Sequence, residues 1–210
     1  MSNQKTHNVF NLIILDESGS MNSIKNTIIS GFNEVVQTVK GVAKEYPEQK
    51  HFISLVTFNS LKTTTHLENE NVEKLKEINR SQYNPTAGTP LFDAMGNSIS
   101  QLRKITQTHS DYNVLVTILT DGEENSSKEF NQRTIKQMVD ELKQENWTFT
   151  YIGANHDVEN FAATISIDNT MKFEANEQDI KQMFSKEKAS RMAYSKKIRN
   201  NEDTSKGFYE

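Results

Sequence analysis

The feature that most limits the folds open to this chain is a set of short apolar runs that stop abruptly, with longer helical patterns between them. Val9-Phe10-Asn11-Leu12-Ile13-Ile14-Leu15 halts at Asp16, His51 to Phe58 reads HFISLVTF, and Val114 to Leu119 reads VLVTIL before Thr120-Asp121-Gly122. A nearly continuous run rich in β-branched and aromatic residues is a strand buried on both faces, as a parallel sheet requires. Trp147 to Ile152 and Thr170 to Phe173 supply two more strands. Lys62 to Leu67 (KTTTHL) follows the second strand after only Asn59-Ser60-Leu61, which predicts a hairpin and an antiparallel edge strand.

Between these runs apolar residues recur at three-to-four spacing. Ile24, Ile28, Phe32, Val35, Val36, Val39 and Val42 mark a helix from Ser23 to about Glu45, closed by Pro47. Gly31 and Gly41 weaken that helix and are expected to admit close packing. A weak turn covers Val72 to Ile78, and the loop Tyr83 to Pro90 leads into a helix ending near Thr106, with Thr89 as its cap. Further helices are expected over Glu129 to Gln144, Val158 to Ala163 and Asn176 to about Arg199. Strands alternating with helices predict an α/β fold: a doubly wound, Rossmann-like, mostly parallel six-stranded sheet with one antiparallel edge strand and helices on both faces. No repeat or Gly-, Pro- or Ser-rich linker divides the 210 residues. A single domain over 1–200 is therefore expected, with its core at about 8–185, a basic helix at about 176–199 and a polar, mobile tail at 201–210.

Composition closes other routes. The chain has no cysteine, which excludes disulfides, thiolate metal sites and cysteine nucleophiles together. Met1 to Asn8 offers no apolar stretch to act as a signal peptide, and no run approaches the ~20 residues of a membrane span. A cytoplasmic protein with no membrane contact is expected. The net charge of −4 speaks against a dedicated nucleic-acid binder. Lys181, Lys186, Lys188, Arg191, Lys196, Lys197 and Arg199 make the last helix a basic stripe against Glu187, read as a solvated face; an acidic partner or nucleic acid is the alternative for it.

In an open parallel sheet, ligands bind beyond the carboxyl ends of the strands, where strand order reverses. Three segments put oxygen donors there: Asp16-Glu17-Ser18-Gly19-Ser20, Gly88-Thr89-Pro90 and Asp121-Gly122. Two carboxylates and three hydroxyls, without His or Cys, suit a hard cation such as Mg²⁺. Gly19 is expected to let both serines face one point. Taken alone, Asp and Ser after a strand are also ordinary capping and turn residues, and Asp93 is most simply a first-turn carboxylate favoured by the helix dipole.

These segments resemble the von Willebrand factor A domain family and its metal-ion-dependent adhesion site, in its intracellular, stand-alone form. The pattern D-x-S-x-S falls on Asp16, Ser18 and Ser20, the distant Thr on Thr89 within Gly-Thr-Pro-Leu, and the distant Asp on Asp121 within Leu-Thr-Asp-Gly. Tyr151-Ile-Gly-Ala-Asn155 and Phe161-Ala-Ala163 extend the likeness, which covers roughly residues 8–185. It implies that Ser18 and Ser20 bind Mg²⁺ (or Mn²⁺) directly. Asp16 and Asp121 would act largely through water, and Thr89 directly or through water according to conformational state. Glu17 falls at a variable position and receives no role. A partner protein's Asp or Glu would complete the metal's shell, making the module non-enzymatic. Adaptors of AAA+ ATPases and tellurite-resistance-like stress assemblies are the roles that intracellular members suggest.

Two enzyme readings compete. Asp16-x-Ser18 resembles the Asp-x-Asp of haloacid-dehalogenase-type phosphatases, but Ser18 replaces the general acid. Ala154-Asn155-His156-Asp157 resembles the Gly-Asn-His-Asp box of metallophosphoesterases, yet His7 and Asp16 do not form the early Asp-x-His motif that a two-metal site needs. His156 is expected at a helix start. His51, His66 and His109 show no ligand spacing, and Trp147 reads as packing.

Overall fold

In the computed structural model, which describes residues 6–154 and 156–210, every apolar run is a strand. Residues 1–5 and Asn155 lie outside the described residues, and with them most of the chain's opening and the asparagine of the Ala154 to Asp157 stretch. The strands are β1 (His7–Asp16), β2 (Gln49–Asn59), β3 (Lys62–Asn71), β4 (Tyr112–Thr120), β5 (Trp147–Gly153) and β6 (Asn169–Lys172). They form one sheet in the order β3-β2-β1-β4-β5-β6, with β3 antiparallel to β2 and every other pair parallel. The chain lays β2 and β3 on one side of β1 and β4 to β6 on the other, so strand order reverses between β1 and β4.

Among the described residues five α-helices cover the two faces: α1 (Lys25–Glu45), α2 (Leu91–Thr106), α3 (Gln132–Leu142), α4 (Val158–Thr164) and α5 (Glu177–Arg199). The pleat sorts the core. Val9, Ile13, Leu15, Leu115 and Leu119 point toward α1 and α5, while Phe10, Leu12, Ile14, Val114, Val116 and Ile118 point toward α2, α3 and α4. The doubly wound expectation holds in each of these respects. Helix starts differ in detail. A 3-10 turn (Gly19–Ile24) precedes α1, and Asn131, not Glu129, opens α3 through a reciprocal capping box with Thr134. Thr89 is not the cap of α2; Pro90 holds that place and offers no side-chain cap.

Of the two α1 glycines, only Gly31 admits a close neighbour. A Cβ there would fall 1.8 Å from the Phe184 ring of α5, whereas a Cβ at Gly41 would meet nothing within 4 Å. Gly41→Ala is therefore expected to stabilise the chain by roughly 0.5–1 kcal/mol through helix propensity. Gly31→Ala should destabilise it by about 1–3 kcal/mol despite the same propensity gain, because the ring must move out of a packed core. Urea midpoints of the two variants check both signs. Equal midpoints would show that α5 does not press on α1.

Two expectations about the C-terminal part are corrected. Residues 200–210 are not a loose polar tail: Phe208 and Tyr209 are buried, Phe208 N donates to Asn169 Oδ1 at 3.0 Å, and Thr148 Oγ1 donates to the Thr204 carbonyl at 3.0 Å. Two aromatics near the end of a polar segment are enough to anchor it when apolar surface awaits them. Nor is the basic stripe wholly solvated. Lys181, Lys186, Lys188, Lys196 and Arg199 are exposed, but Arg191 and Glu187 are buried beneath α5.

His51 is buried on β2 with no hydrogen-bond partner for either ring nitrogen. Burial first, then the charges of Arg191 and His7, push its pKa down to about 4, with Glu48 opposing. The folded state keeps the ring neutral while the unfolded chain protonates it near pH 6.5, so the unfolded state binds more protons between those values. Stability from this group is complete above pH 6.5 and is lost as pH falls toward 4, on the order of 3 kcal/mol in all. His51→Leu should flatten the fall of the urea midpoint between pH 7 and 4.5. An unchanged slope would assign acid sensitivity elsewhere.

Candidate metal centre

The crevice between the carboxyl ends of β1 and β4 is where this sheet's strand order reverses, and Asp16 and Asp121 flank it. Asp16 is the last residue of β1 and is buried. Its Oδ1 accepts from Ser18 N at 2.7 Å, and its Oδ2 accepts from Thr120 Oγ1 at the end of β4 at 2.6 Å. Ser20 Oγ donates to Asp121 Oδ1 at 2.6 Å, and Ser18 Oγ lies 3.2 Å from Ser20 Oγ. With the Ser20 proton committed to the carboxylate, Ser18 is the donor between the two serines. Both hydroxyl protons then run toward Asp121, leaving oxygen lone pairs open. Thr89 Oγ1 and Ser20 Oγ converge from opposite loops, at 3.6 and 3.7 Å from where a Cβ on Gly122 would sit. All five residues of the sequence pattern are thus brought to one place.

The electrostatics of that place are unfavourable without a cation. Burial pushes the Asp16 carboxyl up to about 6, against the hydrogen bonds from Thr120 and Ser18 and with help from the charge of Asp121. Asp121 is also raised, chiefly by burial, and its Oδ2 is buried with no hydrogen-bond partner. Among the described residues neither carboxylate forms an ion pair. An orphaned buried carboxylate oxygen beside oriented hydroxyl oxygens fits a hard cation that takes oxygen ligands. Among the described residues no group of three or more His, Asp or Glu side chains is placed to hold a metal ion, so a cation here must use the hydroxyls.

Several residues that the sequence reading passed over build this geometry. Glu17 is buried and points away from the crevice: its Oε1 accepts from Asn84 N, and its Oε2 accepts from Thr57 Oγ1 at 3.2 Å. Its backbone carbonyl accepts from Thr86 N at 2.9 Å, so it ties the Thr89 loop to the end of β1. Tyr83 Oη donates to the Asp16 carbonyl at 2.6 Å. Gly19 does not use a left-handed backbone; its N–H donates to the Ala87 carbonyl at 2.9 Å, and Ala87 is the residue with positive φ, at 62°. Asn125 Oδ1 accepts from Thr89 N at 2.9 Å. Asp93 does more than favour a helix dipole: its carboxylate accepts from the backbone N–H groups of Lys128, Glu129 and Phe130, clamping the loop after β4 to α2. No periodicity or spacing marks these contacts, because each joins segments far apart in the chain.

His156 stands beside the crevice but its ring is occupied. Nδ1 lies 2.6 Å from the Ala154 carbonyl, which only accepts, so Nδ1 carries the proton and Nε2 accepts from Tyr151 Oη at 3.1 Å. That is a brace for the turn after β5.

A family model described as the von Willebrand factor type A domain matches residues 12–195. No curated protein matches the sequence. Among solved structures, the chain is similar to proximal thread matrix protein 1 from the mussel byssus, with 14% identity and a TM-score of 0.55 over 86% of this chain and 45% of that one. It is also similar to a von Willebrand factor type A structure from Catenulispora acidiphila, with 18% identity and a TM-score of 0.54 over 89% of this chain and 43% of that one. The chain spans less than half the length of either, and at these identities the likeness is one of fold.

Proposed function

Because this chain belongs to the von Willebrand factor type A domain family, whose members are generally protein-interaction modules, we propose that it binds a partner protein through Mg²⁺ (or Mn²⁺) held between β1 and β4. The observation that carries this reading is the buried, unpartnered Oδ2 of Asp121 beside the Ser18 and Ser20 hydroxyls. Ser18, Ser20, Thr89, Asp16 and Asp121 would hold the ion. When bound, it would supply a Lewis-acidic position for one external carboxylate, which an Asp or Glu of the partner would fill. The chain's own residues do the rest. Thr120 and the Ser18 amide keep Asp16 turned into the crevice, Ser20 orients Asp121, and the Glu17, Asn125 and Asp93 braces fix the loops that carry Thr89 and Asp121.

We read the site as non-catalytic. A phosphatase built on Asp16 needs a free carboxylate oxygen and a nearby proton donor, and one built on His156 needs a free imidazole nitrogen. Here Ser18 stands where the proton-donating carboxyl would be, and both His156 nitrogens are engaged. No helix is long and apolar enough to cross a membrane among the described residues. A cytoplasmic module serving an AAA+ ATPase or a tellurite-resistance-like assembly is consistent with this reading.

The test pairs two measurements. Partner capture should require Mg²⁺ and be lost in Ser18→Ala and Thr89→Ala, with unchanged circular dichroism. Nitrophenyl phosphate and bis-nitrophenyl phosphate should not turn over with either ion. Hydrolysis that disappears in Asp16→Asn or His156→Ala would replace this reading with a phosphoesterase.

A further inference from the structure

Only two large apolar side chains are exposed among the described residues, Leu61 at 74% and Met192 at 38%. A lone exposed leucine needs no explanation in itself. Leu61 differs by where it stands and by how firmly its backbone is held. It occupies the tip of the β2–β3 hairpin, where turn chemistry favours Gly, Asn, Asp or Pro and gains nothing from a leucine. Asn59 supplies the turn chemistry instead, its Oδ1 accepting from Leu61 N at 3.0 Å and Lys62 N at 3.1 Å. Asn59 Nδ2 in turn donates to the carbonyl of Glu17 at 3.3 Å, between Asp16 and Ser18.

The tip is also fastened to the other side of the crevice. Ser60 N donates to the Gly88 carbonyl at 2.9 Å, and Gly88 N donates to Ser60 Oγ at 3.0 Å. Gly88 precedes Thr89, so a single hydrogen-bonded pair of residues separates Leu61 from the candidate cation ligand. Lys62, beside it, is exposed and adds positive charge to the same rim. A loop whose backbone is already fixed on two sides loses little further backbone freedom when a partner covers it.

Resting on the metal-dependent reading above, we infer that Leu61 is the specificity contact of the site. It receives an apolar side chain of the partner lying within three residues of the carboxylate that meets the cation. Three residues of extended chain reach about 10 Å, the same order as the span of one hydrogen-bonded residue pair with a chain step on either side. The occupant is thus a linear acidic segment with an adjacent Leu, Ile, Val, Met or Phe. The cation supplies the attraction for the acid, and Leu61 distinguishes one acidic segment from another.

A random linear peptide library displayed on phage, panned on the whole chain in Mg²⁺ and eluted with chelator, tests this. The eluted sequences are expected to share an Asp or Glu with a large apolar residue within three positions. A synthetic peptide of that sequence should bind Leu61→Ser about tenfold more weakly and Leu61→Met nearly as well as the parent. The Mg²⁺ affinity of Leu61→Ser, measured by calorimetry, should not change. Acidic sequences without apolar enrichment, or equal binding by Leu61→Ser, would overturn the role of Leu61 and leave the metal reading standing. The absence of any chelator-eluted sequence would remove carboxylate binding itself, and this inference with it.

Discussion

Glu187→Ala is expected to lower the stability of the chain by about 3–5 kcal/mol, the largest loss anticipated from any surface-helix position, because it strands a buried guanidinium. Arg191 Nε donates to Glu187 Oε1 at 2.8 Å, its Nη1 donates to Asn11 Oδ1 of β1 at 3.1 Å, and its Nη2 donates to Thr117 Oγ1 of β4 at 2.7 Å. Tyr209 Oη donates to the other Glu187 oxygen at 2.7 Å, so the carboxylate also holds the folded-back segment after α5. Removing Glu187 leaves the arginine charge and the tyrosine hydroxyl buried without it. At ~2–4 °C per kcal/mol for a chain of this size, the melting temperature should fall by roughly 10 °C. The double variant Glu187→Leu with Arg191→Met should recover part of the loss, since no buried charge is left, while Tyr209 Oη and Asn11 Oδ1 still lose their partners. If the double variant is as unstable as the sum of the two singles, the network is held by its surroundings and not by the ion pair.

Asp121→Ala should abolish the response of the chain to Mg²⁺. In the parent, an ion that binds only the folded state stabilises by ~2.7 kcal/mol at a hundredfold excess over its dissociation constant, a rise of roughly 5–10 °C. The variant should show no rise, and calorimetry should show no binding. In chelator, Asp121→Asn should be at least as stable as the parent, because a neutral amide, its oxygen still accepting from Ser20, replaces a buried carboxylate that has an unpartnered oxygen. Chelator should lower the parent's melting temperature without unfolding it, since both faces of the sheet carry an apolar core of their own. A magnesium response in Asp121→Ala equal to that of the parent would place the ion elsewhere. Complete unfolding in chelator would make it structural.

The candidate site was legible to an unusual degree because its chemistry is local. Asp16, Ser18 and Ser20 lie in one pentapeptide, and Thr89 and Asp121 each sit where a strand ends or a helix begins. Their braces were not legible. Glu17 looks like a spare acid in the sequence and is a buried tie to Asn84 and Thr57; Asp93 looks like a dipole partner and clamps a loop more than thirty residues away. The same limit explains Gly41, which reads like Gly31 but faces open space because only one of the two lies under Phe184.

By itself the sequence determined the elements, their order, the parallel sheet with its antiparallel edge, and the convergence of oxygen donors on one end of it. Those properties follow from period, run length and chain order, which are local or nearly so. Tertiary structure alone decided which polar groups are buried together. Asn11 and Thr117 are single polar residues inside apolar strands, and Arg191 is one cation in a basic stripe, until the sheet and α5 set them side by side. It likewise turned the aromatic pair Phe208-Tyr209 from a tail into core, and tied the turn that carries the exposed Leu61 to the loop that carries Thr89. A side chain's partner depends on which distant surface packs against it, and no pattern along one strand or helix carries that information.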